Sequence, residues 1–312
     1  MKSASLITVD VLLTPVGYTD LGLSEFFLSF GFYLLIESRL VFPGECLHGS
    51  DMKFPVNTSI LSMATALMAG AFCFSGALHA DHHKTGDKPI KALLVTGGCC
   101  HNYTVQSQAL QDGLKPYANI EWTVIHEGGN GTRGQIDLYK DADWAKKFDV
   151  VVHNECFADT RDEGYVKSIT EAHKSGVPAV VIHCAMHTYR SAPFDDWRQF
   201  LGVTSRRHDH QDEYPVQVVA PNHPIMKGFP EDWTSPKDEL YIIEKLWPSA
   251  QALTISISER DGKAHPVMWV NDFDGTRIFG TTYGHNDTTF RDKAFLLAVG
   301  RGLLWACDRL ED

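Results

Sequence analysis

Short apolar runs alternate with amphipathic stretches between residues 91 and 183. The run Ala179–His183 (AVVIH), for example, is apolar at successive positions, which is typical of a strand covered on both faces. Amphipathic stretches of helical period separate these runs, which indicates a β-α-β-α order and a mostly parallel, doubly wound α/β sheet with helices on both faces. The predicted strands of this part are Lys91–Thr96, Ile120–His126, Asp149–Asn154 and Ala179–His183.

Four stretches have the pattern of helices. Thr104–Lys115 follows the first strand, and Glu163–Ser175 ends at Gly176, where glycine is a common helix terminator. A third helical stretch ends with Trp144–Phe148. Ala294–Cys307 is predicted to be a closing amphipathic helix.

Beyond residue 214, strand-like runs follow one another with short connections, which predicts an antiparallel C-terminal extension of the sheet. No internal repeat and no low-complexity linker interrupts the pattern, so one large domain is expected. The predicted strands of the extension are Val216–Val219, Leu240–Ile243, Leu253–Ser258, Val267–Val270 and Arg277–Thr282.

Residues 52–80 have the pattern of a secretory signal peptide. Met52 and Lys53 form a short basic start, an apolar run follows, and small residues up to Ala80 offer cleavage positions. We therefore expect translation to start at Met52 and residues 81–312 to form an exported domain, periplasmic or extracellular, with no stable membrane anchor after cleavage. Residues 1–51 are then an over-extended N-terminus outside the fold, because a chain this short buries little core. The alternative for this segment is a membrane-associated arm.

The charge of the chain argues against some partners. The whole chain has a formal net charge of −11; residues 1–51 carry −4 and residues 52–80 carry +1, which leaves −8 for residues 81–312. An acidic domain does not favour binding to nucleic acid or to an anionic membrane surface. It is compatible with a neutral or cationic small ligand, and the oligomeric state stays undetermined.

Five cysteines fall within residues 81–312, and their spacing matches no metal-binding C-x-x-C pattern. The number is odd, and adjacent cysteines rarely bridge each other. The sequence therefore predicts no disulfide framework, and these residues are expected to pack as small buried hydrophobes. They are Cys99, Cys100, Cys156, Cys184 and Cys307.

Polar side chains follow four of the predicted strands at the point where each strand ends. In an open α/β sheet the carboxyl ends of the strands form the ligand-binding edge. Histidines and carboxylates on four such loops are therefore expected to converge on one functional site. The loops contain His101 and Tyr103, Asn154 and Glu155, His183, and Tyr283 with His285.

The order of several motifs resembles that of the ThuA-like (trehalose utilisation) family over residues 90–308. The motifs include KALLVTGG before His101 and Tyr103, VVIHCAMHTY around His183, and Asp238-Glu239-Leu240-Tyr241. The resemblance implies a flavodoxin-like fold of the class I glutamine amidotransferase type. It also implies a carbohydrate-related role, often together with oxidoreductases and hydrolases that act on 3-keto-sugars.

Three function classes compete at the predicted site. The first is general acid–base hydrolase or lyase chemistry on a sugar or keto-sugar, because imidazole titrates near neutral pH and also ligates Zn, Ni or Fe. The second is a non-catalytic, sugar-binding accessory protein, and turnover of a sugar separates the two. The candidate catalytic residues are His183, His101 and His285. The candidate substrate-binding residues are Asn154, Glu155, Tyr103, His210, Glu239 and Tyr283. A divalent metal could use His101, His183, His210 or His285.

A third class is glutaminase chemistry with Cys184 as the nucleophile and His285 as its base. A nucleophile at a strand-to-helix elbow needs small neighbours two positions away, because the turn is tight. Ile182 and Met186 occupy those positions, which disfavours this class. His208, beside His210, is expected in an exposed loop.

Overall fold

The computed structural model describes residues 88–311, so the predicted signal peptide at 52–80 and the segment 1–51 lie outside the described residues. In this described part, no helix is long and apolar enough to cross a membrane. The strands are β1 (Ile90–Gly98), β2 (Ile120–His126), β3 (Val150–Cys156), β4 (Ala179–Ile182), β5 (Val203–Asp212), β6 (Gln217–Val218), β7 (Asp238–Leu246), β8 (Ala250–Ile257), β9 (Ala264–Phe273) and β10 (Thr276–Thr281). The α-helices are α1 (Tyr103–Leu114), α2 (Glu163–Lys174), α3 (Asp196–Leu201) and α4 (Lys293–Ala306).

Eight strands form the main sheet, in the order β2-β1-β3-β4-β10-β9-β8-β6. The first five are mutually parallel, and β9, β8 and β6 extend the sheet antiparallel to their neighbours. The order 2-1-3-4 followed by one further parallel strand is that of flavodoxin-like sheets. The predicted α/β, mostly parallel fold with an antiparallel extension is confirmed.

Alternate side chains of the central strands enter two different cores. Ala92 and Leu94 of β1 join the cluster that contains Phe295 of α4. Leu93 and Val95 join the cluster on the opposite face, with residues of α2 and α3. Both faces of the central parallel strands β1, β3 and β4 are therefore covered, which explains their continuous apolar runs.

The segment before β3 does not form the α-helix predicted from the sequence. A short 3-10 helix spans Asp137–Lys140, and turns rather than an α-helix lead to Phe148. The Asp141 side chain accepts a hydrogen bond from the backbone N–H of Asp143, at 3.0 Å. Such local side-chain bonds compete with helix formation.

Two elements after β4 were not predicted from the sequence, α3 and β5. The strand β5 pairs antiparallel with β7 in a separate two-stranded sheet, so β7 is not part of the antiparallel extension. The expectation of an exposed loop around His208 is wrong, because His208 lies within β5 opposite Tyr241. The pairing of β5 with β7 is irregular between His208 and Gln211, which interrupts the regular alternation of side chains there.

Candidate functional site

Three histidines meet at the carboxyl edge of the parallel strands. His101 follows β1, His183 follows β4, and His285 follows β10. Their ring centroids are separated by 4.9 Å (His101–His183), 4.9 Å (His101–His285) and 5.4 Å (His183–His285). One ring nitrogen of each lies within 4.8 Å of the other two. We call these three residues the histidine cluster.

His183 occupies the turn that leaves β4. Its φ of 46° is left-handed, a conformation uncommon for residues other than glycine, and it begins a 3-10 helix over His183–Met186. His183 rather than Cys184 therefore sits at the elbow. This turn directs the imidazole toward the end of β10, where Nδ1 contacts the carbonyl oxygen of the next residue, Thr282, at 2.6 Å.

Backbone carbonyls fix the tautomers of two cluster histidines. The Nδ1–H of His183 donates to Thr282, and Nδ1 of His101 lies 3.3 Å from the carbonyl oxygen of His285, so it also donates. Each Nε2 is then a lone-pair nitrogen. His183 Nε2 accepts from the Tyr241 hydroxyl at 3.1 Å. His101 Nε2 is buried and has no hydrogen-bond partner among the described residues.

Burial keeps these two imidazoles neutral. Desolvation, reinforced by the neighbouring cluster imidazoles, lowers the pKa of His101 to about 3. Desolvation also lowers the pKa of His183 to about 3, although nearby Glu239 opposes the shift. Both rings therefore present unprotonated nitrogen atoms at neutral pH.

Glu239, on β7, is the carboxylate of the site. Its oxygens lie 3.3 Å from His285 Nδ1 and 3.7 Å from His183 Nε2. Burial alone would raise the pKa of Glu239, but contact with His285 and the charge of that imidazole lower it to about 2. Desolvation would lower the pKa of His285, yet the adjacent Glu239 raises it. At neutral pH Glu239 is ionised.

Asp238 holds the loop that carries His285. This fully buried carboxylate accepts hydrogen bonds from the backbone N–H groups of Gly284, His285 and Glu239 and from the Thr289 hydroxyl, at 2.5–3.1 Å. Burial raises the pKa of Asp238 to about 6 against these hydrogen bonds. Asp238 thus positions His285 from the neighbouring sheet.

The cluster has the donor set of a catalytic metal site. Histidine ligands characteristically donate their second ring N–H to a carbonyl or carboxylate, as His101 and His183 do here. The unpartnered Nε2 of His101 is a buried acceptor that a cation would satisfy. Three imidazoles with a nearby carboxylate therefore fit a divalent transition metal such as Zn.

A cavity of about 530 Å³ opens beside His101. Its size falls within the range of about 300–1,000 Å³ common for small-molecule sites. Backbone and polar side chains dominate its wall, which suits a ligand rich in hydroxyl groups. It is lined by Gly98, His101, Asn102, Tyr103, Thr104, His126, Gly129 and Asn130.

Two predicted substrate-binding residues border the cluster in supporting positions. Tyr103 lines the cavity with its ring 5.6 Å from that of His101, and its hydroxyl donates to the Cys99 carbonyl oxygen at 2.8 Å. Asn154 is buried and contacts Gln106, whose amide donates to the carbonyl oxygen of His285. Asn154 therefore acts on the site through Gln106.

Three predicted site residues lie away from the cluster. Glu155 is fully buried and contacts His153 Nδ1 at 2.9 Å. Tyr283 is buried in the core beneath α4, where its hydroxyl pairs with Ser256. His210 is 53% exposed and lies near Asp212 and Glu259 on the surface. Strand alternation in β3 directs Glu155 away from the cluster, and the irregularity in β5 does the same for His210.

Residues of the two-stranded sheet β5–β7 complete the site, and only some of them were predicted from the sequence. Gln211 takes the place expected for His210, with its amide 2.7 Å from His285 Nε2. His208 Nδ1 lies 3.7 Å from Glu239. Asp238 and Tyr241 stand on either side of Glu239 in β7, so the Asp-Glu-Leu-Tyr motif is the feature that could have identified them.

The cysteines contradict the expectation of no disulfides. Cys99 is bonded to Cys100, and Cys156 to Cys184. The ends of β1, β3 and β4 bring all four to one edge, which cysteine spacing alone does not reveal. The glutaminase alternative needed a free thiol at Cys184, and this sulfur is bonded and buried.

Comparisons with known proteins agree with this architecture. A ThuA-like protein from Parabacteroides merdae ATCC 43184 is similar with a TM-score of 0.59 at 21% identity, covering 72% of this chain and 92% of that chain. A ThuA-like protein from Bacteroides uniformis ATCC 8492 has a TM-score of 0.54 at 16% identity, covering 71% of this chain and 94% of that one. At these identities the likeness shows the fold alone. A comparison with curated protein sequences gave no match.

The family model ThuA, described as trehalose utilisation, matches residues 91–306. This span takes in β1, β4, β7, β10 and the histidine cluster. Since it exceeds half of the chain, this protein belongs to the ThuA (trehalose utilisation) family.

Proposed function

We propose that this chain is an enzyme of carbohydrate utilisation that carries out hydrolase or lyase chemistry on a sugar or keto-sugar at the histidine cluster. The family description supports the carbohydrate class of substrate. The observation that carries the proposal is the convergence of three imidazoles and one carboxylate, with His101 Nε2 buried and unpartnered among the described residues. Perturbed, buried titratable groups beside a cavity are characteristic of active sites.

The pKa values distinguish ligands from bases within the cluster. A general base works best with a pKa near the working pH, so an imidazole with a pKa of about 3 removes protons poorly. His101, through its unpartnered Nε2, and His183 are better suited to hold a metal, with His285 as the third imidazole. Such a metal would polarise a sugar oxygen or lower the pKa of a bound water. Glu239, with a pKa of about 2, is also a weak base; it is the ionised carboxylate that would offset the charge of a bound metal.

The cavity supports a sugar as ligand. Asn102, Thr104 and Asn130 supply hydrogen-bonding side chains at its wall, and Tyr103 supplies an aromatic ring. His101 belongs both to the cavity and to the cluster. A sugar bound in the cavity would therefore present its hydroxyl or carbonyl groups to the histidine cluster.

Metal analysis and a substrate screen test this proposal. We expect about one Zn, Ni or Fe ion per purified chain, turnover of a glucoside or 3-keto-glucoside, loss of turnover on chelation, and recovery with added Zn or Mn. His101→Ala should lose the metal because it removes one ligand, whereas His126→Ala, at the exposed edge of the cavity, should retain it. Metal-free protein that binds sugars without turnover would contradict the enzyme and support the sugar-binding alternative.

We also propose that the protein is exported after cleavage of residues 52–80, on the basis of their sequence pattern alone. Expression in a native-like host should yield an N-terminus near Leu78 or Asp81. Mass spectrometry of the secreted product checks this. Peptides from residues 5–45 in the mature protein would contradict it.

A further inference from the structure

We propose that Cys99, Cys100, Cys156 and Cys184 form a redox-active site that passes two electrons from a dithiol reductant to the buried cysteine pair. The four residues are called the cysteine relay below. This proposal does not depend on the sugar chemistry, because its test detects the disulfide bonds directly.

The relay has an accessible end and a buried end. Cys100 is exposed and Cys99 half-buried, whereas Cys156 and Cys184 are 3% and 5% exposed. The Sγ atoms of Cys99 and Cys156, which belong to different disulfides, are 3.6 Å apart. This is a contact distance for two sulfur atoms, so a thiolate at Cys99 already touches the sulfur it would attack.

The outer disulfide contributes little as a structural cross-link. It joins neighbouring residues, so it removes almost no loop entropy from the unfolded chain. The position of Cys99 against β3 is fixed independently, since its backbone N–H donates to the Cys156 carbonyl oxygen at 3.2 Å. A bond that is exposed and of little value for stability is suited to exchange chemistry.

The exchange balances in three steps. A dithiol reduces the Cys99–Cys100 bond and leaves as a disulfide, giving two thiols. The Cys99 thiolate then attacks Cys156 Sγ, forming a Cys99–Cys156 bond and releasing Cys184 as a thiolate. Finally, the Cys100 thiolate attacks Cys99 Sγ, restoring the outer disulfide and releasing Cys156, so that the buried pair holds the two electrons.

The relay adjoins the histidine cluster along the chain. Cys100 immediately precedes His101, and Cys184 immediately follows His183. Reduction of the buried pair therefore removes the cross-link between Cys156 and Cys184, directly beside His183.

Removal of Cys100 traps the intermediate. In full-length Cys100→Ser at mildly alkaline pH, Cys99 cannot re-form the outer disulfide. We expect a non-reduced, alkylated digest to contain a peptide that joins Cys99 to Cys156, with Cys184 alkylated. The matched variant Cys307→Ser should retain both original disulfides. A Cys100→Ser protein with Cys99 alkylated and Cys156 still bonded to Cys184 would overturn the proposal.

A second measurement starts from the unmodified protein and does not require Cys100→Ser to fold. After one equivalent of dithiothreitol, time-resolved alkylation should label Cys99 and Cys100 first and Cys156 and Cys184 later. In Cys99→Ser, reduction of the buried disulfide should be at least about tenfold slower, because access to its sulfurs is lost. Labelling that stays on the outer pair, or an unchanged rate in Cys99→Ser, would refute the relay.

Discussion

Replacement of His183 by alanine is expected to lower turnover of the sugar substrate by roughly 100- to 10,000-fold, the range typical of lost acid–base or metal-ligand groups. The imidazole of His183 connects the cluster to β7, with Tyr241 at 3.1 Å and Glu239 at 3.7 Å from Nε2. Its removal leaves His101 and His285 without their third partner. Steady-state kinetics on the substrate found by the screen measure this loss.

Two further variants make the result interpretable. His183 has a φ of 46°, so alanine there adds backbone cost. Asparagine tolerates this conformation better, and His183→Asn should lose as much activity with a smaller stability change. His210→Ala is the matched control, because His210 is exposed and lies outside the cluster. Turnover by this variant should stay within about twofold of that of the unmodified protein. A well-folded, fully active His183→Asn would contradict a catalytic role for this residue.

Asp238→Ala is expected to lower the free energy of unfolding by roughly 3–5 kcal/mol. The substitution leaves three backbone N–H groups and the Thr289 hydroxyl without their common acceptor in a buried setting. Each orphaned buried donor costs about 1–3 kcal/mol, partly recovered where water enters the space. Urea unfolding monitored by fluorescence measures the loss.

Asp212→Ala supplies the comparison for Asp238. Asp212 also accepts a backbone hydrogen bond, from Glu213 at 2.8 Å, but its side chain is 53% exposed. Water can replace that bond, so the expected loss is below about 1 kcal/mol. Equal losses for both variants would show that Asp238 does not anchor the His285 loop.

The regular part of the fold follows from local sequence. The strand Ile120–His126 has the bounds predicted from the sequence, and helix α2 begins at the predicted Glu163. The reason is physical: β-branched and aromatic residues dominate Ile120–His126, and the Asp162 side chain caps α2 by accepting from the Tyr165 N–H. The rule that strand ends form the binding edge also led to His101, His183 and His285.

Tertiary structure decided which other side chains join them. Strand β5 was not visible as an apolar run, because its polar residues pair with β7 in a separate sheet. Its irregular pairing turns Gln211 rather than His210 toward His285, and it brings His208 toward Glu239. A shift of one residue reverses the face of a strand side chain, and sequence alone contains no record of that shift. The same holds for the cysteine relay, whose members are neighbours only because β1, β3 and β4 end side by side.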